Sequence, residues 1–157
     1  MEQNLSNEKK NNSVKAKFNM DGGLKVKNVL SIISAVTACL CFLFLLCPGI
    51  SYTKSYYPSN FNMGNIIFGS AWYNHINPGL LSAFIIMCVA IVLDVAMNLS
   101  DFCGYLSILC FITSAVLWFC TVPLYGNMYA TLGSAGYCLG IFNIVDACLT
   151  FVGVAYK

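Results

Sequence analysis

Four long apolar runs, residues 28–47, 79–98, 102–121 and 132–156, alternate with polar or mixed segments along the chain. At a rise of about 1.5 Å per residue, a helix of about 20 residues crosses the roughly 30 Å hydrocarbon layer of a bilayer. The pattern predicts an all-α integral membrane protein, with four transmembrane helices forming a bundle within residues 25–157. Residues 1–24 are rich in Asn, Lys and Ser, close on Gly22-Gly23, and read as a disordered tail. The first apolar run is longer than the core of a signal peptide and reads as a retained span.

Local punctuation sets the boundaries. Pro48-Gly49 is expected to end the first helix, and Asn77-Pro78 resembles a helix start, with Asn as cap and Pro in the first turn. Between them lies a linker of roughly 30 residues carrying Tyr52, Tyr56, Tyr57, Phe61, Phe68, Trp72 and Tyr73. Asn98-Leu99-Ser100-Asp101 is so short a connection that the second and third spans must form an antiparallel hairpin. Pro123, Tyr125, Gly126 and Tyr129 mark a loop before the fourth span.

Placed on a wheel of 3.6 residues per turn, each span shows one stripe of small or weakly polar residues. Ser31, Ser34, Ala35 and Ala38 line the first, and Ala83, Met87, Ala90, Asp94 and Asn98 the second. Cys103, Ser107, Cys110, Ser114 and Thr121 line the third, and Gly133, Gly136, Gly140, Asn143, Ala147 and Thr150 the fourth, with Asp146 at its edge. Between helices in lipid the hydrophobic force is small, so close backbone approach and polar contacts must hold them together. The stripes are the expected contact faces, and the Gly136/Gly140 spacing is expected to serve helix packing.

Charge adds an orientation. Six lysines (Lys9, Lys10, Lys15, Lys17, Lys25 and Lys27) precede the first span, whereas the long linker holds only Lys54. By the positive-inside rule both termini are expected in the cytoplasm of a plasma-membrane protein, with the linker as a long aromatic outer loop. Trp118, Tyr125, Tyr129, Trp72 and Tyr73 would then form a belt at the outer interface. The composition is 59% hydrophobic and 9% charged, without arginine, and the net charge of +2 is too small to argue for nucleic acid. Nine cysteines fall in or beside the apolar runs without a Cys-x-x-Cys and read as small packing residues, although Cys47, Cys120 and Cys138 approach one end of their helices. His75 alone cannot build a metal site, and no cofactor motif is present, so neither metal nor cofactor is expected.

Two aspartates interrupt the apolar runs, Asp94 in AIVLDVAMN and Asp146 in IFNIVDACL. Asp94 is about 6 Å by helix rise from the end of its span, where it can reach the interface or bond Asn98. Asp146, about 16 Å from Lys157, sits near mid-membrane, where an ionised carboxylate costs roughly 2.5–3.5 kcal/mol. A protonated Asp146 bonded to Asn143, Thr150 or a hydroxyl on the third span avoids that cost. A proton or cation relay between Asp146 and Asp94 is the functional alternative, against which stands the lack of an intramembrane Lys, Arg or His partner.

Three resemblances follow from particular stretches. FNIVDACLTFVG, residues 142–153, resembles the last motif of bacterial lipoprotein signal peptidases, four-span aspartic peptidases in which the aspartate matching Asp146 is catalytic. That family's other aspartate belongs to a Gly-Asn-x-x-Asp-Arg element; here Gly126-Asn127 is followed by Met128-Tyr129-Ala130-Thr131. One carboxylate cannot divide the acid and base roles of such a dyad. The four-span plan with a long first outer loop is similar to claudin-like proteins, whose loop carries a Trp signature and two cysteines that this loop lacks. Phe68-Gly69 followed by NPGLLSAFI makes the chain similar to small four-span membrane proteins of low-GC Gram-positive bacteria.

The expected function is therefore a non-enzymatic scaffold or accessory subunit in the lipid bilayer. It would bind a membrane or envelope protein through Tyr56, Phe68 and Trp72, with homo-oligomerisation compatible. Asp146, Asn143 and Asp94 are the expected polar site, structural or serving as a relay.

Overall fold

The computed structural model describes residues 28–52, 60–69, 76–125 and 130–155. The chain is mostly helical. In order, the elements are α1 (Asn28–Phe44), β1 (Pro48–Tyr52), β2 (Asn60–Asn62), α2 (Met63–Phe68), α3 (Pro78–Ala96), α4 (Asp101–Phe119), α5 (Thr121–Tyr125), β3 (Ala130–Leu132) and α6 (Ser134–Ala155). Three helices, α3, α4 and α6, are long and apolar enough to cross a membrane, while α1 is a shorter apolar helix. The tail 1–24, Tyr56, Tyr57, Trp72, Tyr73, His75, Gly126, Tyr129 and the basic Lys54 and Lys157 lie outside the described residues.

The expected boundaries shift by a few residues, each for a local reason. At Asn77 the side chain accepts from Leu80 N–H at 3.2 Å, with Pro78 in the first turn, so α3 starts where its cap places it. The same side chain donates from Nδ2 to the Leu124 carbonyl at 2.9 Å, tying the start of α3 to α5. α1 ends at Phe44, ahead of Pro48-Gly49, because residues 45–47 already turn toward β1. α6 starts at Ser134, two residues later than the apolar run suggests, because Ala130–Leu132 is spent on a strand.

A small sheet qualifies the all-α expectation. Its strand order is β2-β1-β3, antiparallel throughout, with Ile50 opposite both Phe61 and Leu132. The register of β1 against β2 shifts between Pro48 and Ile50. Gly133 N–H donates to the Gly49 carbonyl at 2.9 Å, and Thr131 Oγ1 donates to the Ser51 carbonyl at 3.0 Å. The two connecting segments, far apart in sequence, are thereby stitched together where α3 and α6 begin.

Packing follows the small-residue stripes. Ser34, Ala38 and Cys41 of α1, Ala83, Met87, Ala90 and Asp94 of α3, and Ser107 and Ser114 of α4 are buried, as are Gly136, Gly140, Asn143, Asp146, Ala147 and Thr150 of α6. Leu, Ile, Val and Phe side chains such as Val36, Val92, Leu109 and Phe151 face outward. α4 lies between α3 and α6, while α1 touches α3 through Phe42–Phe84 and α6 through Phe44–Phe142. Ser107 Oγ donates to the Ala90 carbonyl at 2.8 Å and Ser114 Oγ to the Ala83 carbonyl at 3.0 Å. Both partners step by seven residues, so the α3–α4 seam repeats every two turns.

One expectation about packing needs correction. Trp118 is not in an interfacial belt: it is 0% exposed, in an apolar core with Ile50, Met63, Ile66, Ile67, Leu80 and Leu139. The sheet and α2 cap this end of the helices and enclose it. Gly140 packs α6 against α4 by admitting the Phe119 ring, whereas Gly136 receives Leu132 of β3. A Cβ on Gly136 would fall 2.4 Å from Leu132 Cδ1, and one on Gly140 would fall 2.6 Å from Phe119 Cζ, so both glycines seat side chains. Gly140→Leu is expected to separate α4 from α6 and cost roughly 1–3 kcal/mol. A melting curve of the detergent-solubilised variant that overlays wild type would refute this.

Candidate functional site

Toward the end of the helices that holds the α3–α4 turn, the apolar interior gives way to a polar layer. Asp94 comes from α3 and Ser34 from α1, while α6 supplies Asn143, Asp146 and Thr150; all five are 1–2% exposed. Because α3 and α6 run in the same direction, residues seven apart pair at successive levels: Asn143 beside Met87, and Thr150 beside Asp94. Asp146 lies one turn from Thr150 on the same buried face, not at its edge.

The bonds are specific. Thr150 Oγ1 is 2.7 Å from Asp94 Oδ1 and 2.8 Å from the Asp146 carbonyl oxygen. Asn143 Nδ2 donates to the Leu139 carbonyl at 2.7 Å and lies 3.6 Å from Met87 Sδ. The Ser34 hydroxyl is a side-chain hydrogen-bonding neighbour of both carboxyl groups, and the two carboxyl groups are near enough to interact electrostatically. Asp146 Oδ1 and Asn143 Oδ1 are buried and have no hydrogen-bond partner.

The two aspartates therefore share one site, as the relay alternative requires. Asn98, the expected partner of Asp94, is exposed in the turn after α3, so the carboxyl bonds across to α6 instead. For Asp146 the neighbouring hydroxyl comes from α1, not from the third span. Thr150 and Ser34 were legible only as stripe members; their pairing depends on how α1, α3 and α6 are rotated about their axes.

Compared with protein-family models, curated proteins and solved structures, the chain matches none. Among the described residues there is no Lys, Arg or His, and no group of three His, Cys, Asp or Glu that could hold a metal ion. All nine cysteines are free thiols.

Two surface grooves, of about 330 and 350 Å³, are lined by apolar residues alone. One follows α3 along Phe84, Cys88 and Val92, and the other runs between α4 and α6 along Ile112, Ile144 and Phe151. Neither is lined by the aspartates. Of the residues expected to meet a partner, Phe68 is half exposed, its ring edge-on to Phe84 at 5.3 Å. Tyr56 and Trp72 lie outside the described residues.

Proposed function

We propose that the chain is a four-span plasma-membrane protein with both termini in the cytoplasm, acting as a non-enzymatic scaffold or accessory subunit. The observation that carries this reading is the use made of the intramembrane carboxyls. They are buried within the helix packing and bonded between α3, α6 and α1, where they fasten helices to one another. The fourth span of the proposal is α1, whose outward apolar residues, Val29, Ile32, Val36 and Leu43, suit a lipid-facing helix. Partner binding is assigned to the sheet end, where Phe68 presents an exposed aromatic ring with Tyr56 and Trp72 close in sequence. Crosslinking in native membranes, followed by identification of co-purifying proteins, tests this. Loss of a specific crosslink in Phe68→Ala supports it, and a chain that crosslinks to nothing, itself included, counts against it.

A second reading is a proton- or cation-coupled transport element. It is favoured by the shared site of Asp94 and Asp146 and by the unpartnered Asp146 Oδ1. Proteoliposome flux separates the two readings: the scaffold reading expects no flux above empty vesicles, whereas the transport reading expects flux that falls at least tenfold in Asp146→Asn. A degenerate signal-peptidase-like activity ranks third. Asp94 would supply a second carboxyl, but both acids are covered by neighbouring helices rather than open to a peptide.

A further inference from the structure

The hydroxyl of Thr150 has two oxygen neighbours at hydrogen-bonding distance, Asp94 Oδ1 at 2.7 Å and the Asp146 carbonyl oxygen at 2.8 Å. A threonine hydroxyl owns one hydrogen. One hydrogen shared between two oxygens makes two bent, weakened contacts, whereas two contacts this short are best filled by two hydrogens, the second coming from a neighbour. A backbone carbonyl can only accept. The Asp146 carbonyl therefore takes the threonine hydrogen, and the contact with Asp94 needs a hydrogen on the carboxyl side.

From this count we infer that Asp94 is a proton-binding site. Its Oδ1 carries a hydrogen donated to Thr150 Oγ1, and the Thr150 hydroxyl donates onward to the Asp146 carbonyl. With Asp94 ionised, the single Thr150 hydrogen would have to be shared between the carboxylate and the Asp146 carbonyl, leaving the 2.8 Å contact at most half filled. A negative charge would also sit in the helix interior, where the described residues offer no basic side chain.

The same arithmetic extends the chain. Ser34 neighbours both carboxyl groups, and with the Asp94 hydrogen given to Thr150 it can donate its own hydrogen to a carboxyl oxygen that remains an acceptor. Asp146 Oδ1 is the open acceptor at the far end, with the unpartnered Asn143 Oδ1 one turn away. A second proton bound there neutralises the pair completely. Another titratable group that interacts with Asp146 is the thiol of Cys41 on α1. On α4 the buried Ser107 hydroxyl is committed to the Ala90 carbonyl. The assignment goes beyond both functional readings: a scaffold and a transport element would each hold the proton at Asp94.

Infrared spectroscopy of the full-length protein in lipid nanodiscs at neutral pH reads the proton directly. A protonated carboxylic acid has a carbonyl stretch above the amide envelope, and it shifts down in D₂O. Wild type should show such a band. Asp94→Asn should remove one component, Thr150→Val should move that same component to higher frequency by taking away its acceptor, and Asp146→Asn should leave it in place. Thr150→Ser keeps the hydroxyl and should preserve the wild-type band, a control for variants that pack poorly. Absence of any such band from wild type overturns the assignment, and needs no variant. So does a band that Asp94→Asn leaves intact and Thr150→Val does not move.

Discussion

Gly133→Ala is expected to be among the most damaging single substitutions in this chain, unseating the sheet from α6. A Cβ at residue 133 would lie 2.3 Å from the Pro48 carbonyl oxygen and 2.8 Å from the Gly49 carbonyl carbon. Those are backbone atoms, pinned by pairing of β1 with both β2 and β3, so no rotamer change relieves the collision. The shift would also stretch the bond from Gly133 N–H to the Gly49 carbonyl. Overpacking of this kind costs roughly 1–3 kcal/mol and occasionally more, and the top of that range applies where backbone must move. The check is the thermal midpoint of the detergent-solubilised protein, with Gly136→Ala as comparison. At Gly136 the nearest atoms belong to the Leu132 side chain, which can turn away, so that variant should melt closer to wild type.

Trp118→Ala should cost about 3–5 kcal/mol, the usual range for emptying a buried aromatic site. The indole is fully buried where α2, β1, α3 and α6 meet, so its loss leaves Ile50, Met63 and Leu80 facing a cavity. Trp118→Phe should cost about 1.5 kcal/mol or less, because much of the ring volume remains. Its Nε1–H finds no acceptor, so phenylalanine forfeits no hydrogen bond. Equal losses for the two variants would mean that the indole nitrogen matters and that volume is not what Trp118 contributes. Chemical denaturation monitored by far-ultraviolet circular dichroism distinguishes the cases.

The polar layer explains why carboxyl groups persist in an otherwise apolar interior. Helices surrounded by lipid have little hydrophobic reason to prefer one rotation over another. A bond between Thr150 and Asp94 fixes the rotation of α6 against α3, and Ser34 brings α1 to the same point. The serines of α4 do similar work against backbone carbonyls of α3, without any charge to neutralise. Side chains of modest polarity thus set register where apolar contacts would allow sliding.

Much of this was written in the order of residues. Runs of apolar side chains long enough for a bilayer mark α3, α4 and α6, and α1 less completely. Asn77-Pro78 and the turn after Ala96 mark helix ends through capping and turn chemistry that act within a few residues. The buried stripes were also legible, since a helix repeats its faces at a fixed angle whatever surrounds it.

Other features had no local signal. Ala130–Leu132 is too short to announce a strand, and its partner β1 lies some eighty residues earlier, so the sheet exists only once the helices bring both segments to one end. Trp118 looked interfacial because its position along α4 is near a helix end; only the sheet and α2 folding over it decide that it is core. The pairing of Thr150 with Asp94 instead of Asn98 with Asp94 depends on the angle between two helices. Residue order specifies what each helix can offer along its face, and the tertiary arrangement alone selects which offers meet.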